Sequence, residues 1–111
     1  MRATAWSNGS PRHSGAGYGL TISRQDRDRF FDQRWSAIVL NLPGHDPVSV
    51  PLSGSFWRSC TELRSAAVGR WLILNGLAPW PHSNPPMLTM QQAGDRAFRV
   101  TADLYNRQLR S

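Results

Sequence analysis

The chain has 111 residues, a formal charge of +6 and a sequence pI near 11.3. All thirteen basic residues are arginines, set against seven acids, and one cysteine with three scattered histidines leaves no pair at metal-ligand spacing. This length admits one domain with one modest core, and the cysteine count excludes an internal disulfide and makes a structural zinc unexpected.

Residues 1–17 are rich in Gly, Ser and Asn and include Pro11. They read as a loop-rich arm that Trp6 anchors to the body. Tyr18, Leu20 and Ile22 then alternate with smaller residues, as in a short strand over 18–22. Ser23 followed by Asp26 is a near capping box, so a helix is predicted over 24–34, with Phe30, Phe31 and Trp35 on its apolar face. The remaining positions alternate arginine with aspartate and suit solvent. Ile38, Leu40 and Leu42 alternate again, and a turn at 43–46 leads to Val48 and Val50, which gives a hairpin.

Periodicity fails over 52–65, a segment holding Phe56, Trp57, Arg58, Arg64 and four serines, so it reads as a long ordered loop with room for a helical turn. Ser65 caps a second helix with Val68, Trp71, Leu72 and Leu74 as its buried face, ending at Asn75 and Gly76. Four prolines between 77 and 86 force an extended crossing in which Trp80 packs. Residues 87–90 and 96–101 flank a turn at Gly94 and Asp95, with Leu88, Phe98 and Val100 as core. The polar segment 102–111 is a tail, either a frayed helix or disordered. The predicted architecture is therefore α+β: a small open pseudobarrel of seven or fewer strands over residues 18–101, with two capping helices.

The run Tyr18-Gly-Leu-Thr-Ile-Ser, the helix through Phe30 and Phe31, Trp35 and the strand that follows resemble the opening half of the plant B-three DNA-binding domain. The segment from Gly69 to Leu77, with its asparagine and leucine, and the closing Phe98-Arg99-Val100 resemble the second half. The related effector domains of some restriction endonucleases share this pseudobarrel. The resemblance extends over about residues 6–101 as an order of elements, and the proline-rich 79–86 departs from the family's short charged turn. It implies a non-enzymatic domain that clamps the DNA major groove between two loops on one side of the barrel.

Both loops have candidates here. The first arm offers Ser7, Asn8, Arg12 and His13, where asparagine suits adenine and arginine suits guanine. The second offers Ser55, Trp57, Arg58, Ser59 and Arg64, with Arg58 the leading contact. Turn chemistry at Asn8-Gly9 and Ser10-Pro11 and a packed Trp57 account for the same residues equally well. Arg24, Arg27, Arg29 and Arg34 face Asp26, Asp28 and Asp32, so they read as a solvated helix surface. The unmatched charge collects instead at the termini and arms, in Arg2, Arg12, Arg58, Arg64, Arg70, Arg96, Arg99, Arg107 and Arg110.

Such a surplus points to a polyanion. Arginine's planar fork grips phosphates and guanine edges, although a GC-rich genome enriches arginine over lysine whatever the protein binds. Duplex DNA is the expected partner, RNA or single-stranded DNA the next, and no membrane is expected because no apolar run approaches a span. The cytoplasm is the expected location. A Cys60 pair with His13 or His82 lacks any catalytic signature, and Gly15 to Gly19 runs into a strand instead of cradling a phosphate, so no cofactor is expected. A protein-interaction module using Trp57, Trp80 and the proline-rich segment is the reading from another class.

Overall fold

Alternation of apolar and polar residues builds seven strands in the computed structural model, which describes residues 1–81 and 83–102. They are β1 (Arg2–Ser7), β2 (Tyr18–Thr21), β3 (Ala37–Asn41), β4 (Val48–Pro51), β5 (Glu62–Arg64), β6 (Met87–Gly94) and β7 (Ala97–Ala102), with helices α1 (Arg24–Phe30), α2 (Gly54–Arg58) and α3 (Ala66–Leu74) between them. All strands join one sheet in the order β4-β3-β7-β6-β1-β2-β5. Every pairing is antiparallel except β3 with β7, so the sheet is mixed. The edge strands β4 and β5 come within 8 Å of each other without pairing. The result is a small, nearly closed α+β barrel compatible with a pseudobarrel topology.

The inner face fills the barrel with Leu20, Leu40, Leu63, Leu88, Met90 and Phe98, each at most 1% exposed. Helix α3 packs its Val68, Trp71 and Leu72 into this core, and the Trp71 indole N–H donates to the Pro43 carbonyl at 3.0 Å. The helix stops as predicted: the Asn75 amide donates to the Trp71 carbonyl, and Gly76 takes a φ of +69° that suits glycine. Leu74, predicted to be buried, is instead 79% exposed. At position 74 the side chain has rotated off the buried stripe of α3. Trp80 packs as expected, 5.7 Å from the ring of Tyr18.

Four segments differ from the sequence reading. Residues 2–7, predicted as loop, form a central strand paired with both β2 and β6. Its inward residues are Ala3 and Ala5, small side chains that fill a narrow part of the barrel and leave little hydrophobic signal. The loop predicted over 52–65 contains α2, whose Phe56 is fully buried, and the edge strand β5; the described residues thus hold three helices. Helix α1 follows its Ser23 cap, which accepts the Asp26 N–H at 3.1 Å, but ends at Phe30, before the predicted 34. There Phe31 turns extended to stack on Phe98 at 4.9 Å, while Asp32 gathers the Arg34 N–H and guanidinium into a local turn. The tail beyond 102 lies outside the described residues.

The fourth difference is Arg27. It is 9% exposed, not a member of a solvated face. Its guanidinium donates to the Phe56 and Trp57 carbonyls, both at 3.0 Å, and to Asp28 at 3.0 Å. Chain ends of the short helix α2 leave carbonyls without helical partners, and the fork of an arginine satisfies two of them at once.

Candidate nucleic-acid interface

The strand register decides which candidate residues meet. Ser7 pairs with Tyr18 at the start of β2, and the loop 8–17 leaves from this end. Along β5, Arg64 lies opposite Gly19 and Glu62 opposite Thr21, so the chain carrying α2 enters at the other end of β2. The two loops therefore flank the β2–β5 ladder. Three residue steps of about 3.3 Å along β2 separate its ends by roughly 10 Å. Arg64 belongs with the first loop, whereas Ser55, Trp57, Arg58 and Ser59 cluster beyond Thr21.

The first loop is folded. Asn8 donates its N–H to the Gly17 carbonyl, and its side-chain oxygen accepts the Ser10 N–H at 2.9 Å. Arg12 and Ala16 close a turn, and Arg70 on α3 donates to the Ser14 carbonyl at 3.1 Å. Gly15 sits directly on α3, where a Cβ would overlap the Ala66 carbonyl oxygen, and a Cβ on the facing Gly69 would overlap the Gly15 carbonyl oxygen. With its base held this way, the loop presents Arg12 and His13 as exposed side chains.

The second loop is organised around α2. Ser53 caps it and shares a 2.8 Å hydrogen bond with the Ser55 hydroxyl, while the Ser55 carbonyl accepts from Ser59 and Cys60. Thr61 is tied to Ile22 by its backbone and its hydroxyl. Trp57 is half-buried, edge-on to Phe56 at 5.1 Å, with the Arg27 guanidinium 5.9 Å from its ring. Arg58 and Ser59 remain exposed. Ser59 donates to the Cys60 sulfur at 3.6 Å; the pairing of Cys60 with His82 falls outside the described residues.

Trp6 joins this region although its sequence context marks it only as an anchor. It stands on the outward face of β1 opposite Gly19, which stands opposite Arg64. The Arg64 guanidinium spans the bare glycine to lie 5.0 Å from the indole centroid. It also pairs with Glu62 at 2.8 Å. Beside them opens a cleft of about 400 Å³, lined by Trp6, Asn8, Gly17, Tyr18, Arg64 and Ser65 among others.

Ion pairs among the described residues engage Arg27, Arg34, Arg64 and Arg96. The Arg34 guanidinium and N–H on Asp32 lower that carboxyl to about 2. Arg2, Arg12, Arg24, Arg29, Arg58, Arg70 and Arg99 have no acidic partner there. Arg107 and Arg110 lie outside the described residues. No group of three or more His, Cys, Asp or Glu that could hold a metal ion occurs among the described residues, and no described helix is long and apolar enough to cross a membrane. The chain matches no protein-family model, no curated protein and no solved structure.

Proposed function

We propose that this protein binds duplex DNA without catalysing a reaction, gripping it across the β2–β5 ladder with the loops at its two ends. The observation that carries the reading is the register, which sets the two loops at opposite ends of β2; three strand steps make those ends roughly 10 Å apart, on the scale of the ~12 Å major groove. Arg12 on one loop and Arg58 on the other are exposed and free of acidic partners. Such cations are available to release counterions from phosphates or to read guanine. The neighbouring strand β1 adds exposed Arg2.

The order of elements along the chain supports the resemblance to the plant B-three domain and to the restriction-endonuclease effector domains, and with it a wrench-like grip. The protein-interaction reading has less support. Trp57 and Trp80 are half-buried against Phe56 and Tyr18, and Leu74 is the one large exposed hydrophobic among the described residues.

Fluorescence anisotropy with random duplex DNA, single-stranded DNA and RNA across a salt series tests the proposal. Duplex preference with a steep salt slope is expected, and Arg12→Ala and Arg58→Ala should each weaken the complex by about 1–3 kcal/mol if they read bases. Absence of binding to all three at low salt would overturn it.

A further inference from the structure

The cleft beside Trp6 has a chemistry that a two-loop grip leaves unused. One wall is the half-buried Trp6 indole, with a planar guanidinium 5.0 Å from its centroid. Arg64 is already matched by Glu62, to whose Oε1 it donates from Nη2 at 2.8 Å and from Nε at 3.3 Å. A phosphate entering here would have to compete with that carboxylate. A neutral planar ring carries no charge to contest that pair; it displaces the guanidinium from the indole face and gains a stacking surface from the indole and a cation on its other face.

The rim supplies a polar reader. Asn8 uses its side-chain oxygen to accept from Ser10, which leaves both amide hydrogens without an acceptor among the described residues. They can donate to the ring nitrogens and carbonyls of a base edge. Arg64 keeps 59% of its side chain exposed, which leaves room for the guanidinium to lift and close over a ring at the expense of its bonds to Glu62. Gly17, Tyr18 and Ser65 are among the residues that complete the lining of the cleft.

We propose that this cleft takes a single unpaired nucleobase of the bound nucleic acid, stacked on Trp6 beneath the Arg64 guanidinium. The inference rests on the nucleic-acid reading above and adds a preference: a duplex carrying one unpaired base is held more tightly than a fully paired one, because only the unpaired base can leave the helix stack without breaking a pair.

Anisotropy titrations compare a fully paired duplex with the same duplex carrying a one-base bulge. The bulged duplex should bind about tenfold more tightly, within the range for one base stacked on an aromatic side chain. Trp6→Ala should abolish this preference, so that this variant holds the bulged and the fully paired duplex equally, and Trp6→Phe should retain part of it. A 2-aminopurine in the bulge gives a readout on the unaltered protein: its emission should be quenched on binding and should not be quenched by Trp6→Ala. Equal affinity for the two duplexes, or a preference that survives Trp6→Ala, would overturn the base site alone, and the wider reading would stand. Binding of neither duplex would remove both.

Discussion

Arg64 and Trp6 lie on strands that do not pair, yet the guanidinium reaches the indole because the residue between them is Gly19. Gly19 carries no side chain to stand between them. A Cβ at Gly19 would also overlap the Leu63 carbonyl oxygen of β5. The glycine therefore serves two ends at once: it lets β5 approach β2 closely, and it opens the path along which a cation from one edge strand covers an aromatic two strands away. The same register sets Arg64 at the first loop and the rest of the second loop beyond Thr21.

Replacing Arg27 should reveal that the second loop is held from α1. Arg27→Met preserves the packed stem but leaves the Phe56 and Trp57 carbonyls without their donors. An unsatisfied buried acceptor costs about 1–3 kcal/mol, so a loss of about 2–4 kcal/mol is expected in urea denaturation at pH 7. Arg24→Ala, on the exposed part of the same helix, should change stability by less than about 0.5 kcal/mol. Equal losses for the two variants would show that the guanidinium does not organise α2.

Much of this arrangement was legible in the sequence, and its gaps have physical causes. The runs at 37–42 and 97–101 alternate large apolar side chains, so their strands and inward faces are evident. The Ser23 and Ser65 caps act as their spacing implies. The strand at 2–7 was not legible because its inward residues are alanines and its one large residue, Trp6, points outward. Arg27 looked like its solvated neighbours, since what buries it is a pair of carbonyls about 30 positions away. The candidate arm residues were nameable by type, but that Arg64 parts from Arg58 and joins Trp6 follows from strand register, which composition does not carry.

Asp32 gives a pH signature. Its carboxyl, hydrogen-bonded by Arg34, falls from 3.8 to about 2 in the folded protein. A folded value below the unfolded one means that the pair stabilises above about pH 3.8 and ceases to do so as pH falls through 2. Asp32→Asn should therefore melt below the parent at pH 5, and the gap should close towards pH 2. Because the pair is exposed, added salt should narrow the gap at pH 5. A gap that stays constant from pH 5 to 2 would contradict this account.

The seat of the first loop on α3 can be tested at Gly69. A methyl there would overlap the Gly15 carbonyl oxygen, which is backbone and has no rotamer by which to retreat. Overpacking of this kind costs about 1–3 kcal/mol, and the better helix propensity of alanine recovers up to about 1 kcal/mol. Gly69→Ala should then be destabilised by about 1–2 kcal/mol, a fall in Tm of roughly 5–10 °C. Hydrogen exchange should locate the damage: the Asn8, Arg12 and Gly15 amides, bonded within the loop, should lose protection first, while those of β3 and β7 keep theirs. If the loop must stay docked to present Arg12, duplex affinity should fall in Gly69→Ala, and adding Arg12→Ala should then weaken binding by less than it does in the parent, because the two changes disable one element. Additive losses would mean that Arg12 acts independently of how the loop is seated.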